Sequence, residues 1–241
     1  MRPHAEDLQR YYASPIGQKV KARISNLLMP LVAQRTQDRV LGLGYCGPYL
    51  EAMHGKVERV LLAHPALQGY APWPDSKPNC VVQVDDKSLP FRDAMFDQVI
   101  AIHVLEYAEP VRKTLREIWR VLSPQGRLLL VVPNRTSLLA LLDNSPFGNG
   151  RPFSTAQMNQ LLRDALYTPL VQKECLALPG LIGGAGMDRF LLKLMPRISG
   201  VHILLAQKTD GYSSTGVGRV AGPYVSVVPP QATRDNITAT E

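Results

Sequence analysis

Three groups of residues in this chain are of types and spacings that do chemistry. In RVLGLGYCGPYL, residues 39–50, an apolar run meets Gly42, Gly44 and Gly47 just before Pro48. Glycines at such a point let the backbone approach a ligand closely, and the free amides of a helix that starts there favour an anionic group. Further along, VVQVDD ends in Asp85 and Asp86, carboxylates that accept hydrogen bonds. The third group is HVLEY, where His103, Glu106 and Tyr107 are the residue types that position or deprotonate a reacting group.

Groups so far apart in sequence work together only if regular elements carry them to one place. DRVLGLG, KVERVLLAH, NCVVQVDD, FDQVIAIHV and RLLLVVPN are Val-, Ile- and Leu-rich runs bounded by Pro, Gly or Asp, and they read as five strands. Their continuous apolar character suits strands covered on both faces. EPVRKTLREIWRVL puts Val111, Leu115, Ile118, Trp119 and Leu122 on one helical face, closed by the turn SPQG. FSTAQMNQLLRDAL predicts a helix with Ser154 and Gln157 as a capping box and Met158, Leu161, Leu162 and Leu166 as its buried stripe. SLLALLDNSPFGNGRPF reads as a short helix and a loop, LVQKECLAL as a sixth strand, DRFLLKLMPRI as a helix and VHILLAQKT as the last strand. Alternating strands and helices predict a parallel sheet with helices on both faces, and in such a sheet ligands sit at the carboxyl ends of the strands.

Ahead of the first strand, SPIGQKVKARISNLLMPLV spaces Ile16, Val20, Ile24, Leu27, Leu28 and Leu31 as an amphipathic helix, with Lys19, Lys21 and Arg23 between them. That helix is expected to lie over the pocket as a lid, and its basic residues to give weak association with anionic surfaces.

Composition narrows the function classes. The 241 residues are 45% hydrophobic and 20% charged, with a formal charge of +7. These are the proportions of a folded globular chain with a mild preference for anionic partners. No apolar run is long enough to span a bilayer, and Met1 opens a polar stretch, so a cytoplasmic location is expected. Cys46, Cys80 and Cys175 form no C-x-x-C pair, which indicates neither a zinc knuckle nor a disulfide framework and predicts buried thiols. GLIGGAG lacks the Gly-Lys-Ser/Thr ending of a phosphate loop, no acidic residue ends the second strand as a nicotinamide-dinucleotide site requires, and the basic residues are not interleaved with aromatics as in a nucleic-acid module.

VDDKSLPFRDAMFDQVIAIHVLEYAEP followed by LREIWRVLSPQGRLLLVVPN closely resembles the class I S-adenosylmethionine-dependent methyltransferases, in particular their methyltransferase type 11 branch. The matching features are Asp85 or Asp86 closing the third strand, Leu89-Pro90-Phe91, Phe96-Asp97 opening the fourth, and His103-Val104-Leu105-Glu106 after it. They cover about residues 39–134. The resemblance implies a Rossmann-like α/β fold with a mostly parallel seven-stranded sheet, helices on both faces, and the last strand antiparallel between its neighbours. It implies S-adenosylmethionine as cofactor, with Gly42, Gly44, Gly47, Asp85, Asp86, Leu89 and His103 around it. Asp85 or Asp86 would accept from the adenine amine while Leu89 and Phe91 flank the ring. The implied organisation is a helical segment over 1–36, a methyltransferase-like domain over 37–209 and an irregular tail over 210–241.

Departures from the family pattern are specific. Where the family loop reads acidic-x-Gly-x-Gly-x-Gly, this chain has Gly42, Gly44, Cys46 and Pro48, and where a carboxylate usually ends the second strand it has Ala63-His64-Pro65. Two readings follow. One is a methyltransferase acting on a small-molecule acceptor, with weak cofactor binding that Cys46→Gly and Ala63→Asp would strengthen and loss of both Asp85 and Asp86 would abolish. The other is a protein of the same fold that binds or interacts without catalysis.

Overall fold

The structure, a computed structural model, describes residues 2–32, 35–74, 79–135, 146–176 and 199–209. In chain order the elements are α1 (Ala5–Ala13), α2 (Pro15–Leu28), β1 (Arg39–Gly44), α3 (Gly47–Leu50), β2 (Arg59–Pro65) and β3 (Val81–Val84). There follow β4 (Phe96–Ile102), α4 (Val111–Val121), β5 (Leu122–Pro133), α5 (Thr155–Asp164), β6 (Tyr167–Cys175) and β7 (Val201–Lys208). The seven strands form one sheet in the order β3-β2-β1-β4-β5-β7-β6. β7 pairs antiparallel with both β5 and β6, while the β1, β2, β3, β4 and β5 pairings are parallel. The strand order reverses between β1 and β4, which makes their carboxyl ends the crevice of the fold.

Strand alternation splits the apolar residues into two cores. Ile100 and Ile102 of β4, Leu129 and Val131 of β5, and Ile203 and Leu205 of β7 face Leu8, Tyr12, Val20, Ile24 and Leu28 of the N-terminal helices. Val99, Ala101, Leu128, Leu130 and Leu204 face the other way, onto Leu115, Ile118 and Val121 of α4 and Met158 and Leu162 of α5. α5 carries the expected capping box, with Ser154 Oγ accepting from the Gln157 amide and Gln157 Oε1 accepting from the Ser154 amide. Leu166 is exposed instead of extending that stripe, because the helix ends at Asp164.

The family-like motifs turn out to be ties between elements. Asp97 accepts from the backbone and guanidinium of Arg39 and from Ser123, locking the starts of β1 and β5 to β4. Arg120 of α4 donates to the carbonyls of Leu89 and Phe91, and Glu117 accepts from the Leu89 amide, so α4 holds the Leu-Pro-Phe loop. SPQG does not interrupt the sheet. β5 already starts at Leu122, pairs with Phe96, and resumes its register at Arg127 after an irregularity in which Gln125 takes φ 59°.

The N-terminal segment holds a helix that the sequence reading left out. α1 buries Ala5, Leu8 and Tyr12, carries Glu6 and Asp7 in its first turn, and stops at Ser14. Ser14 then caps α2 by accepting from the Gly17 amide at 3.1 Å. Only glycine fits at 17, since a Cβ there would stand 1.9 Å from the Tyr11 carbonyl oxygen. This corner sets the rotation of α2, whose buried residues are Gly17, Val20, Ile24 and Leu28, while Ile16 is 59% exposed and Leu27 only partly buried. Lys19 is exposed, and Lys21 and Arg23 are half-buried.

Among the described residues no helix is long and apolar enough to cross a membrane. None of the three cysteines is in a disulfide; Cys46 and Cys175 are buried and Cys80 partly so. The helices expected within SLLALLDNS and DRFLLKLMPRI, the GLIGGAG loop and the C-terminal tail lie outside the described residues.

Candidate functional site

The crevice over β1 and β4 is built from strand ends. Gly44 closes β1 at φ 81°, where a Cβ would lie 2.2 Å from the Ile102 carbonyl oxygen, so β1 and β4 converge to a distance that no side chain could occupy. The Tyr45 amide then bonds that same carbonyl at 3.1 Å. On the other side of the crevice β4 is followed by His103, a non-glycine residue with φ 58°. A strained backbone of this kind persists where the surroundings over-determine it, as they do at functional sites.

His103 is completely buried and held from both ring nitrogens. Nδ1 lies 3.2 Å from Oε1 of Glu106, itself fully buried, and Nε2 lies 3.0 Å from the hydroxyl of Tyr12. Tyr49 donates to the Tyr12 hydroxyl at 3.1 Å. One consistent direction runs through the chain: Tyr49 donates to Tyr12, Tyr12 to His103 Nε2, and His103 Nδ1–H to Glu106. Oε2 of Glu106 is buried without a hydrogen-bond partner. Burial is the largest cause that lifts the Tyr12 phenol well above its ordinary pKa, so this hydroxyl keeps its proton. The Tyr12 ring stacks on Tyr45 at 5.5 Å between centroids and meets Tyr49 edge-on, while Phe147 packs on the imidazole at 4.7 Å.

The other strand ends hold the rest. Asp85 is exposed and caps a turn by accepting from the Lys87 amide at 2.9 Å. Asp86 is buried and bonds the guanidinium of Arg2 at 2.7 Å, with 10% and 7% of the two side chains exposed. Beyond β2, Gln68 is fully buried and reaches across the end of β1 to donate to the His103 carbonyl. His64 carries an unpartnered Nδ1, and burial outweighs its bond to the Gly69 backbone to lower its pKa to about 4, so the ring stays uncharged at neutral pH.

The structure thus brings Gly44, Asp86 and His103 to one crevice. Gly42 lies within β1, where a Cβ would meet Leu50 Cδ1 at 2.4 Å and Cys46 Cβ at 2.9 Å; the space an acidic residue would need is taken by α3. Gly47 opens α3, a helix of one turn, faces the Trp73 indole and lines the space left beside Tyr12, Tyr45 and His64. Leu89 sits in the core beneath α4, and Phe91 meets Phe96 edge-on beside it, so neither lies over the crevice. Cys46 is core, its thiol donating to the Leu43 and Ile100 carbonyls. Ala63 belongs to the α4-side core, and the residue of β2 that turns toward the crevice is His64, one position on. Arg2, Tyr12 and Gln68 escaped sequence reasoning; the usable signal was the helical spacing of Leu8 and Tyr12.

Comparison with known proteins agrees with this frame. Residues 32–130 match the profile of a methyltransferase domain family. The chain is 47% identical over 51 residues to an uncharacterized protein of Methanocaldococcus jannaschii, covering 21% of this chain and 22% of that one. It is 31% identical over 101 residues to a Mus musculus protein named probable tRNA methyltransferase 9B, covering 40% and 18%. The chain thus matches about a fifth of the length of these curated relatives. Among solved structures, an S-adenosylmethionine-dependent methyltransferase of Thermotoga maritima superposes with TM-score 0.60 at 16% identity, over 85% of this chain and 95% of that one. A Haloferax volcanii complex of the Trm112 methyltransferase activator with a methyltransferase gives 0.59 at 18%, over 85% and 98%. The [4+2]-cyclase SpnF gives 0.52 at 20%, over 81% and 83%. With a switch point between β1 and β4 and an antiparallel β7, the chain has the fold of the class I methyltransferases, and residues 32–130 are similar to the methyltransferase domain family, for which S-adenosylmethionine is the implied cofactor.

Proposed function

We propose that the protein is a methyltransferase for a small-molecule acceptor, with its site in the crevice between the ends of β1 and β4. The observation that carries this reading is the hydroxyl-to-imidazole-to-carboxylate chain of Tyr12, His103 and Glu106 at the switch point of the sheet. Glu106 accepts from Nδ1–H and so directs the Nε2 lone pair into the crevice, where it already accepts from a phenol. An acceptor hydroxyl in the same place would be oriented in the same way, with the imidazole placed to take its proton as the methyl group transfers. Bound S-adenosylmethionine supplies an electrophilic methyl group on sulfonium, so alignment of the acceptor is the main demand left to the protein.

The crevice as it stands does not fit the whole cofactor. The cavity that remains beside Tyr12, Tyr45, His64 and Trp73 is about 240 Å³, below the roughly 300 Å³ at which small-molecule sites begin. Asp86 is already bonded to Arg2, and Gln68 lies across the end of β1. The end of β2 offers the uncharged His64 in place of a carboxylate. These same facts support the second reading, a methyltransferase-fold protein that interacts without catalysis.

Calorimetric titration with S-adenosylmethionine and with its demethylated product, with NADH as control, separates the two. Binding of the sulfur nucleosides alone supports the methyltransferase; no heat from any nucleotide supports the interaction protein.

A further inference from the structure

Two of the polar groups that the strand ends direct into the crevice are met by the chain's own residues, and both of those residues come from one short segment. Arg2 takes Asp86 at the end of β3, and Tyr12 takes His103 at the end of β4. Between them α1 buries Ala5, Leu8 and Tyr12. The segment therefore lies across the ends of β3, β2, β1 and β4 in the manner of a ligand, with a cationic head at one end and an aromatic ring stacked on Tyr45 at the other. All of it precedes residue 32, where the family match begins.

We propose that residues 2–13 are a built-in, displaceable occupant of the cofactor crevice, and that a nucleoside ligand binds by displacing them. The inference rests on the methyltransferase reading, but it predicts the opposite of a lid. A lid adds contacts to a bound ligand, so removing its contacts weakens binding. An occupant competes, so removing its contacts strengthens binding.

Three features make displacement feasible. α1 has nine residues, fewer than the roughly 12 that an isolated helix needs to persist in water, so it keeps its form only while docked. It joins α2 through the single extended residue Ser14, whose φ of −70° and ψ of 157° break the helix. Beyond its corner with α1 at Ser14, Gly17 and Gln18, α2 is held by Val20, Ile24 and Leu28 in the core, so it keeps an anchor when that corner opens. What α1 would uncover is a set of matched polar partners: the Asp86 carboxylate, Nε2 of His103 and the face of Tyr45.

The size of the effect follows from the fraction of molecules that are open. If the crevice is open in about one molecule in ten, the apparent dissociation constant is about tenfold weaker than the intrinsic one. Variants that release α1 recover that factor.

The test uses the full-length chain with S-adenosylhomocysteine as probe. Calorimetry compares wild type with Tyr12→Ala, Tyr12→Phe and Arg2→Gln, and hydrogen exchange follows the amides of residues 5–13 with and without the probe. Tyr12→Phe keeps the ring and loses only the hydroxyl, so it remains informative if Tyr12→Ala fails to fold. An occupant predicts affinity at least ~10-fold tighter for Tyr12→Ala, a smaller gain for Tyr12→Phe and Arg2→Gln, and faster exchange in α1 when the probe binds wild type. Unchanged or weaker affinity in the variants, or slower exchange in α1 on binding, overturns the occupant and leaves the methyltransferase reading intact. Absence of binding to wild type and to every variant overturns both.

Discussion

The hydroxyl of Tyr12 lies 3.0 Å from Nε2 of His103, joining the first helix to the end of the fourth strand at the centre of the crevice. Both residues are buried, so neither partner can turn to water if the other is removed. His103→Ala strands the Tyr12 hydroxyl and Oε1 of Glu106 together and leaves a cavity. We expect a loss of about 2–4 kcal/mol in urea unfolding. Tyr12→Phe leaves the Nε2 lone pair without its donor and should lose about 1 kcal/mol. Equal losses from the two would show that the imidazole is not the hub of the chain.

Gly42 and Gly44 differ in what they tolerate. Gly44→Ala drives a methyl group into the Ile102 carbonyl at a backbone conformation that side chains rarely adopt, and should cost ~3 kcal/mol or more. Gly42→Asp restores the acid that the family loop carries, yet it forces a carboxylate against Leu50 and Cys46. A fall in melting temperature with no gain in nucleoside affinity is the expected outcome. A stable Gly42→Asp variant that binds more tightly would show that α3 yields.

The neighbouring carboxylates should separate cleanly. Asp85→Ala removes an exposed turn cap and should change stability by about 1 kcal/mol or less. Asp86→Ala leaves a buried guanidinium without its anion, so the cost should be larger, about 2–4 kcal/mol, up to the point where the Arg2 segment detaches. Chemical denaturation of the two single variants settles the order, and a larger loss at Asp85 would reverse this assignment.

A pH dependence follows from His64, whose pKa burial holds near 4 in the folded chain against 6.5 ordinarily. Above pH 6.5 the ring is uncharged in both states and has no effect. As pH falls from 6.5 to 4, the unfolded chain takes a proton that the folded chain refuses, so stability declines over that window and levels off below it. At about 1.4 kcal/mol per unit the decline is on the order of 3 kcal/mol. His202, lowered to about 4 by the same cause, adds a second decline of the same sign. Urea midpoints measured from pH 7.5 to 4 should show the slope, and His64→Gln should remove a part of it. An unchanged slope in that variant would mean that His64 is hydrated in the folded state.

Repeated apolar runs and the capping box at Ser154 were enough to determine the class of fold, and the resemblance carried by the Phe96-Asp97 and Leu89-Pro90-Phe91 steps implied the antiparallel last strand and the end of the sheet where the crevice lies. The apolar runs and the cap are short-range patterns, and the motifs are short in sequence although their residues tie distant elements together, Asp97 to Arg39 and Leu89 to Arg120. What the tertiary structure decided is who stands in that crevice. Whether Asp85 or Asp86 faces inward depends on which of them the strand pleat and the turn at Lys87 point toward Arg2. The roles of Gly42 and Cys46 depend on where α3 packs, and His64 instead of Ala63 turns toward the crevice because successive residues of a strand face opposite sides of the sheet. Tyr12 meets His103 across 91 positions of sequence, a contact that no local pattern encodes, because it exists only once the sheet has carried the end of β4 under the first helix.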